Sequence, residues 1–164
     1  MQLPDPEQLL QQLASALKPR LRANTALVGI HSGGAWVAQK LRQQLGGTLP
    51  LGTLDISFYR DDFSSVGLHP QVRPSDIPFA VDDAHIILID DVLHTGRTVR
   101  AAMNELFDYG RPASIALAVL IDRGGRELPI AADWVGAKLD LATKQNIQVT
   151  LDPNNNLKLS LHER

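Results

Sequence analysis

Apolar residues recur along the chain in two spacings, which predict an alternation of helices and strands. Leucines three and four positions apart predict a first helix over residues 3–22, which Pro19 is expected to kink or to end early. Short apolar runs predict buried strands at 26–30, 49–59, 86–89 and 114–121, and helices are expected at 35–45 and 97–109. Near-continuous apolar strands separated by helices are typical of an α/β fold, with a central parallel sheet and helices on both faces.

Two regions depart from this alternation. Residues 60–83 contain three prolines, paired serines and several acids without a sustained period, which predicts a flexible lid. Near the C-terminus a short strand is expected at 129–135. The alternating residues at 147–151 and 157–161 flank a turn-forming stretch, and this pattern predicts a hairpin.

Length and composition narrow the class of protein. The chain has 164 residues, which suits a single domain over 1–164. Its 16 basic and 18 acidic residues give a net charge of −2, which argues against binding nucleic acid by bulk attraction. The absence of cysteine excludes disulfides, thiolate metal sites and cysteine nucleophiles. No apolar run is long enough for a membrane span and no signal-peptide pattern is present, so a cytoplasmic protein without membrane association is expected.

The most informative chemistry follows the strand predicted at 86–89. Two adjacent carboxylates, Asp90 and Asp91, come directly after four apolar residues. A short loop with Thr95, Gly96 and Thr98 then leads into a helix. The N–H groups and positive dipole end of a helix N-terminus favour phosphate, and glycine lets the backbone approach it closely. The GxxxxGK[ST] pattern of a Walker loop is absent.

The two carboxylates require a partner other than phosphate, because they would repel it. They suit the vicinal hydroxyls of a ribose, or water on a divalent cation. The alternative is that Asp90 and Asp91 only cap a helix and face solvent. The phosphate-binding loop beside them favours the functional interpretation.

This segment resembles the phosphoribosyl pyrophosphate (PRPP) signature of type I phosphoribosyltransferases. Residues 55–62 and 110–130 further resemble the PyrR family, whose members are bifunctional pyrimidine operon regulators and uracil phosphoribosyltransferases. The resemblance covers roughly residues 26–151 and implies the type I phosphoribosyltransferase fold, with the lid at about 60–83 and a small hood at about 122–140 beside the C-terminal hairpin. The residues that match the PRPP signature are Ile86, Ile87, Leu88, Ile89, Asp90, Asp91, Val92, Leu93, His94, Thr95, Gly96, Arg97 and Thr98.

The resemblance also implies a reaction and the residues that carry it. Uracil and PRPP would give UMP and pyrophosphate, with Mg²⁺ bound to the substrate. Asp90 and Asp91 would hold the ribose hydroxyls, residues 92–98 would bind the 5′-phosphate, and Arg60 in the lid would reach the departing pyrophosphate. The pyrophosphate loop would consist of Ser32, Gly33 and Gly34, and the base would lie near Asp122 and Arg123. Because Gly33 stands where the family often has a basic residue, weak catalysis is expected.

The family's regulators bind a hairpin in the leader of the pyr operon messenger RNA. Such binding needs basic side chains for the phosphates. The candidates here are Arg20, Arg22 and Arg126. The resemblance also implies a homodimer or homotetramer.

Three other functions stay open on the sequence. One is a nucleotide sensor with weak catalysis. Another is a purine phosphoribosyltransferase without a regulatory role. The third is a flavodoxin-like or other nucleotide-binding module that shares only the strand, acid and loop pattern, which the two additional matching stretches disfavour.

Overall fold

The computed structural model describes residues 1–56 and 75–163. Within them, five parallel strands form one sheet in the order β2-β1-β3-β4-β5, and β6 and β7 pair as an antiparallel hairpin. The elements in chain order are α1 (Pro6–Leu17), β1 (Thr25–Ile30), α2 (Gly33–Gln44), β2 (Leu51–Leu54), β3 (His85–Leu93), α3 (Arg97–Tyr109), β4 (Ser114–Asp122), β5 (Trp134–Lys138), β6 (Gln145–Leu151) and β7 (Leu157–Glu163).

Helices cover both faces of the sheet, as the sequence predicted. On one face, leucines of α1 and residues of α2 share a core with the alternate strand residues Leu27, Ile87 and Ile89, and the β6–β7 hairpin packs there as well. On the other face, α3 packs against the intervening strand residues, including Ile86 and Leu88. This division follows from the two-residue period of strand side chains. None of the helices in the described ranges has the length and apolar character needed to cross a membrane.

The first helix is shorter than predicted, because proline ends it. The Asp5 side chain accepts a hydrogen bond from the Glu7 N–H at 3.1 Å and caps the N-terminus. The α-helix stops at Leu17 and continues only as a 3₁₀ turn over Lys18–Arg20. Pro19 has no N–H to donate to an earlier carbonyl, so the helix ends early at this proline, one of the two outcomes expected of it, and does not reach residue 22.

The fifth strand lies later than predicted, at Trp134–Lys138 instead of 129–135. Asp133 sets its start, because its N–H donates to the Leu117 carbonyl and its carboxylate accepts from the Leu117 N–H, both at 2.8 Å. Pro129 lacks the N–H that a paired position needs. Residues 134–138 of the predicted hood therefore belong to the main sheet, and the hood stays a prediction for the preceding loop and the hairpin.

The end of the predicted lid is held against the sheet. The Thr53 and Asp76 backbones exchange two hydrogen bonds of 2.8 Å. Ser75 Oγ accepts from the Asp55 N–H at 3.0 Å and donates to Glu105 Oε1 at 2.7 Å. Residues 75–83 therefore lie beside β2 and α3. Residues 57–74, including Arg60, lie outside the described part of the chain, so the lid and the role of Arg60 stay predictions.

Candidate functional site

The carboxyl ends of the parallel strands bring the predicted site residues to one edge of the sheet. β3 lies between β1 and β4, with Gly29 opposite Ile89 on one side and Leu93 opposite Asp122 on the other. The loop that follows β1 therefore meets Asp90 and Asp91, and the end of β4 meets the loop that follows β3. Ligands of open α/β sheets bind at this edge.

The predicted pyrophosphate loop lies directly against the two carboxylates. A Cβ added to Gly33 would overlap the carboxylate of Asp91, lying 2.5 Å from its Cγ. A Cβ added to Gly34 would lie 2.5 Å from the Ile89 carbonyl oxygen and 2.9 Å from Asp90 Cα. Only glycine fits at these two positions as the chain is arranged, and this allows the start of α2 to approach β3 so closely. The peptide bond between His31 and Ser32 is cis.

The two aspartates differ in exposure. Asp90 is 6% exposed, and its Oδ1 accepts the Asp91 N–H at 2.8 Å. Asp91 is half-buried and accepts the Val92 N–H at 2.8 Å. β3 continues through both residues to Leu93, two positions beyond the two acids at which the strand was predicted to end. A buried strand therefore holds both carboxylates at the edge of the sheet, which is inconsistent with simple helix caps.

The phosphate loop predicted after β3 leads directly into α3. Gly96 adopts a left-handed conformation with φ of 95°, which favours glycine, and a Cβ there would come within 3.1 Å of Ile130. Thr95 Oγ1 accepts the Arg97 N–H at 3.2 Å. Gly96 has no side chain to cap α3, and the Thr95 hydroxyl binds only the Arg97 N–H. The N–H groups of the next residues, Thr98 and Val99, are therefore those that an anion can use.

The segment that follows β4 is hydrogen-bonded to this loop and holds it in place. The Thr95 carbonyl accepts N–H groups of Glu127 and Leu128 at 2.9 and 3.3 Å. His94 Nδ1 lies 2.9 Å from the Gly124 carbonyl oxygen. An exposed ion pair of 2.7 Å joins Arg97 to Glu127. The loop is thus fixed by residues about thirty positions later in the chain.

Arg126 makes three side-chain hydrogen bonds in this region. It donates from Nη1 to the His94 carbonyl at 2.9 Å, from Nε to the Ile130 carbonyl at 2.8 Å and from Nη2 to Asp122 Oδ2 at 2.6 Å. Partial burial acts to raise the pKa of Asp122, but hydrogen bonds from Arg126 and the Gly124 N–H, with the charges of Arg126 and Lys138, outweigh it and lower that pKa. The ion pair is therefore charged at neutral pH.

Comparison with known proteins identifies this arrangement. The family model described as "Phosphoribosyl transferase domain" matches residues 2–154. The chain is 54% identical over 161 residues to "Bifunctional protein PyrR" of Nitrosococcus oceani, covering 92% of this chain and 91% of that protein. It is 55% identical over 154 residues to the protein of the same name from Pseudomonas putida, covering 92% and 90%.

The chain belongs to the PyrR family of phosphoribosyltransferases. The family and the enzyme class that the sequence predicted are confirmed. Solved structures confirm the fold class. A hypoxanthine-guanine phosphoribosyltransferase of Bacillus anthracis superimposes with a TM-score of 0.68 at 18% identity, covering 86% of this chain and 85% of that one. A hypoxanthine phosphoribosyltransferase of Staphylococcus aureus superimposes with a TM-score of 0.66 at 23% sequence identity, covering 84% of this chain and 76% of that one.

The structure separates the arginines that were predicted to bind RNA. Arg20 and Arg22 are exposed and line a groove of about 500 Å³ at the amino ends of the strands, beside His85 and Ser114. Arg126 follows the carboxyl end of β4, which spans nine residues, or roughly 25–30 Å. The three arginines therefore do not form one surface in this PyrR family member. The guanidinium of Arg126 is bound to three oxygens within the protein, and its assignment to RNA stays a prediction.

Arg123, which was predicted to lie near the base, contacts the C-terminal hairpin. Its Nη1 donates to Asn146 Oδ1 and its Nη2 to the Gln145 carbonyl, both at 3.1 Å. Its neighbour Asp122 is bound to Arg126 and the Gly124 N–H. Sequence reasoning missed these contacts, as it missed those of Arg126, because the partners lie up to 32 positions apart and share no local pattern.

Proposed function

We propose that this protein transfers the phosphoribosyl group of PRPP to uracil, giving UMP and pyrophosphate, and that it regulates pyrimidine biosynthesis. Membership of the PyrR family supports both functions. The observation that carries the enzymatic proposal is the contact of Gly33 and Gly34 with Asp91 and Asp90, beside the loop that leads into α3. The sites proposed for pyrophosphate, ribose hydroxyls and 5′-phosphate would thereby be contiguous along one edge of the sheet.

The proposed reaction breaks the bond between the anomeric carbon and the pyrophosphate oxygen and forms a bond from that carbon to N1 of uracil. Pyrophosphate leaves with the electron pair of the broken bond, and the N1 proton is released to solvent. Asp90 and Asp91 accept hydrogen bonds from the ribose hydroxyls. The N–H groups at the start of α3 hold the 5′-phosphate. Fixing the sugar at two points orients the anomeric carbon for attack, and such positioning contributes a large part of catalysis.

The carboxylates of Asp90 and Asp91 are suited to bind Mg²⁺ that arrives with PRPP. The described residues contain no cluster of three or more metal-ligating side chains. Mg²⁺ is usually held by one or two carboxylates together with substrate phosphates, and Asp90 and Asp91 provide two carboxylates beside the predicted pyrophosphate loop. When bound, the ion would neutralise charge that develops on the leaving pyrophosphate.

One observation favours a second candidate, a nucleotide sensor with weak catalysis. Gly33 provides no cation for the pyrophosphate, and the neighbouring Asp91 places a negative charge beside it. Binding of that group would depend on the backbone N–H groups of the loop, on Mg²⁺ and on the predicted contact of Arg60. A sensor would keep UMP binding without appreciable turnover.

A panel of radiolabelled bases, each incubated with PRPP and Mg²⁺, tests the proposed reaction. We expect uracil alone to be converted, with UMP and pyrophosphate formed in equal amounts. UMP binding without turnover would support the sensor. Conversion of hypoxanthine or guanine would contradict a uracil enzyme and support a purine phosphoribosyltransferase.

We further propose that RNA of the pyrimidine operon leader binds near Arg20 and Arg22. These exposed side chains flank the groove at the amino ends of the strands, and Arg22 Nη1 lies 3.5 Å from His85 Nε2. Basic groups at a groove can follow a phosphate backbone. The net charge of −2 means that such binding depends on this local cluster.

Replacing Arg20 and Arg22 with alanine should weaken RNA binding and reduce its salt dependence. Each lost phosphate contact lowers the slope of log affinity against log salt by about 0.7–0.9. Lys144→Ala with Lys158→Ala is the matched control, because it removes two exposed positive charges, one directly before β6 and one on β7. The measurement is a salt titration of a leader hairpin with and without UMP, and UMP should raise the affinity. If the Arg20, Arg22 double variant kept the wild-type RNA affinity and salt dependence, the proposed location of the RNA site would be contradicted. If the wild-type protein bound no leader RNA at low salt, the proposal that it recognises RNA would be contradicted.

A further inference from the structure

Arg126 is bound more extensively than a surface arginine. Its side chain is 24% exposed and that of its partner Asp122 is 13% exposed. Three of its donors are used by oxygens on three separate parts of the chain, namely the end of β4, the loop before α3 and the segment before β5. The other oxygen of Asp122, Oδ1, accepts the Gly124 N–H at 2.9 Å, which fixes the carboxylate as well.

We propose that Arg126 is a positioning residue that directs the Thr95 N–H toward the 5′-phosphate of the nucleotide, an inference that rests on the proposed function. The carbonyl and N–H of one trans peptide unit point in opposite directions. Arg126 holds the His94 carbonyl at 2.9 Å. The Thr95 N–H of that peptide unit is therefore turned away from Arg126, to the opposite side of the loop.

The next peptide unit is oriented in the same way. The Thr95 carbonyl accepts two N–H groups from the segment that carries Arg126, those of Glu127 and Leu128. The Gly96 N–H therefore points away from that segment. Two successive N–H groups directed to one side form an anion-binding concavity, and the start of α3 adds its own N–H groups there.

The choice of arginine follows from this geometry. A guanidinium has donors in a rigid planar fork, so it can bind a carboxylate and two carbonyls at once. A lysine ammonium at the same position is a point charge on a flexible stem, and it cannot reproduce all three directions. Asp122 holds the Arg126 guanidinium from one side, and the guanidinium in turn holds the His94 and Ile130 carbonyls.

Arg126→Met and Arg126→Lys test the inference, with Arg111→Met as the control that removes one positive charge elsewhere. Binding of UMP and of pyrophosphate with Mg²⁺ is measured by titration calorimetry on folded protein, checked by circular dichroism. We expect Arg126→Met to raise the Kd of UMP by about 10-fold or more, the effect of a lost hydrogen bond to a charged group. Arg126→Lys should have an intermediate effect. Pyrophosphate affinity should stay unchanged, because that ligand is assigned to the loop at 32–34.

Two results would overturn the inference while the wild type binds UMP. One is wild-type UMP affinity in Arg126→Met. The other is an equal loss of affinity for UMP and pyrophosphate, which indicates a general structural role. If Arg126→Met does not fold, Arg126→Lys is judged by the same two criteria. A wild-type protein that binds no UMP would instead contradict the proposed function, and the inference with it.

Discussion

The double variant Asp90→Asn, Asp91→Asn should lose nearly all phosphoribosyl transfer while it keeps its fold. Amide side chains have almost the same shape as carboxylates and can still accept the Asp91 and Val92 N–H groups. They lose the charge that strengthens hydrogen bonds from ribose hydroxyls. At about 1.5–3 kcal/mol for each charged hydrogen bond, two such losses amount to roughly 10²–10⁴-fold in kcat/KM.

Steady-state kinetics with uracil and PRPP, together with thermal unfolding, would check this expectation. The control is Asp83→Asn with Asp108→Asn, which removes two exposed negative charges from the opposite end of the strands, before β3 and in the last turn of α3. We expect the control to keep wild-type activity, and both double variants to unfold near the wild-type temperature. A folded Asp90→Asn, Asp91→Asn protein with full activity would contradict the assignment of these carboxylates to the ribose.

Replacing Gly34 with alanine should impair both stability and activity. The new Cβ would lie 2.5 Å from the Ile89 carbonyl oxygen, which belongs to the backbone of a buried central strand and cannot easily move. Inserting a group into such a contact costs typically about 1–3 kcal/mol of unfolding free energy. The start of α2 would also be displaced from Asp90, so pyrophosphate binding should weaken.

Gly33→Ala is the matched variant, because its Cβ would meet the Asp91 side chain instead of backbone. That carboxylate can rotate away, so we expect a stability change within roughly 1 kcal/mol but a clear loss of activity. Urea unfolding and kinetics of the two variants measure the difference. If Gly34→Ala were as stable and active as the wild type, the close approach of α2 to β3 would be wrong.

Much of the fold could be predicted because its signals are local. The helix α3 begins and ends at the predicted residues, 97 and 109, since its apolar face, Gly110 and Pro112 are all close in sequence. The position of β5 could not be predicted, because Asp133 and Leu117 determine it across 16 residues. The end of β3 at Leu93 lies two positions beyond the predicted end, because the two carboxylates interrupt the apolar pattern that marks the strand.

The candidate site shows the same division. The acids, the glycines and the loop before α3 could be recognised because each follows a strand directly, and parallel strands end at one edge. The contacts of Arg126 could not be recognised from the sequence, because its partners His94 and Asp122 are brought together only by the sheet. Arg20 and Arg22 carry the same charge as Arg126, and only the structure places them at the opposite end of the strands.

A crystal structure of the protein with bound UMP would show directly where the nucleotide lies. We expect the 5′-phosphate within hydrogen-bond distance of the N–H groups of Thr95, Gly96 and Thr98. We also expect the ribose hydroxyls to contact Asp90 and Asp91. UMP bound at the amino ends of the strands, or with its phosphate away from the start of α3, would contradict the assignment of this site.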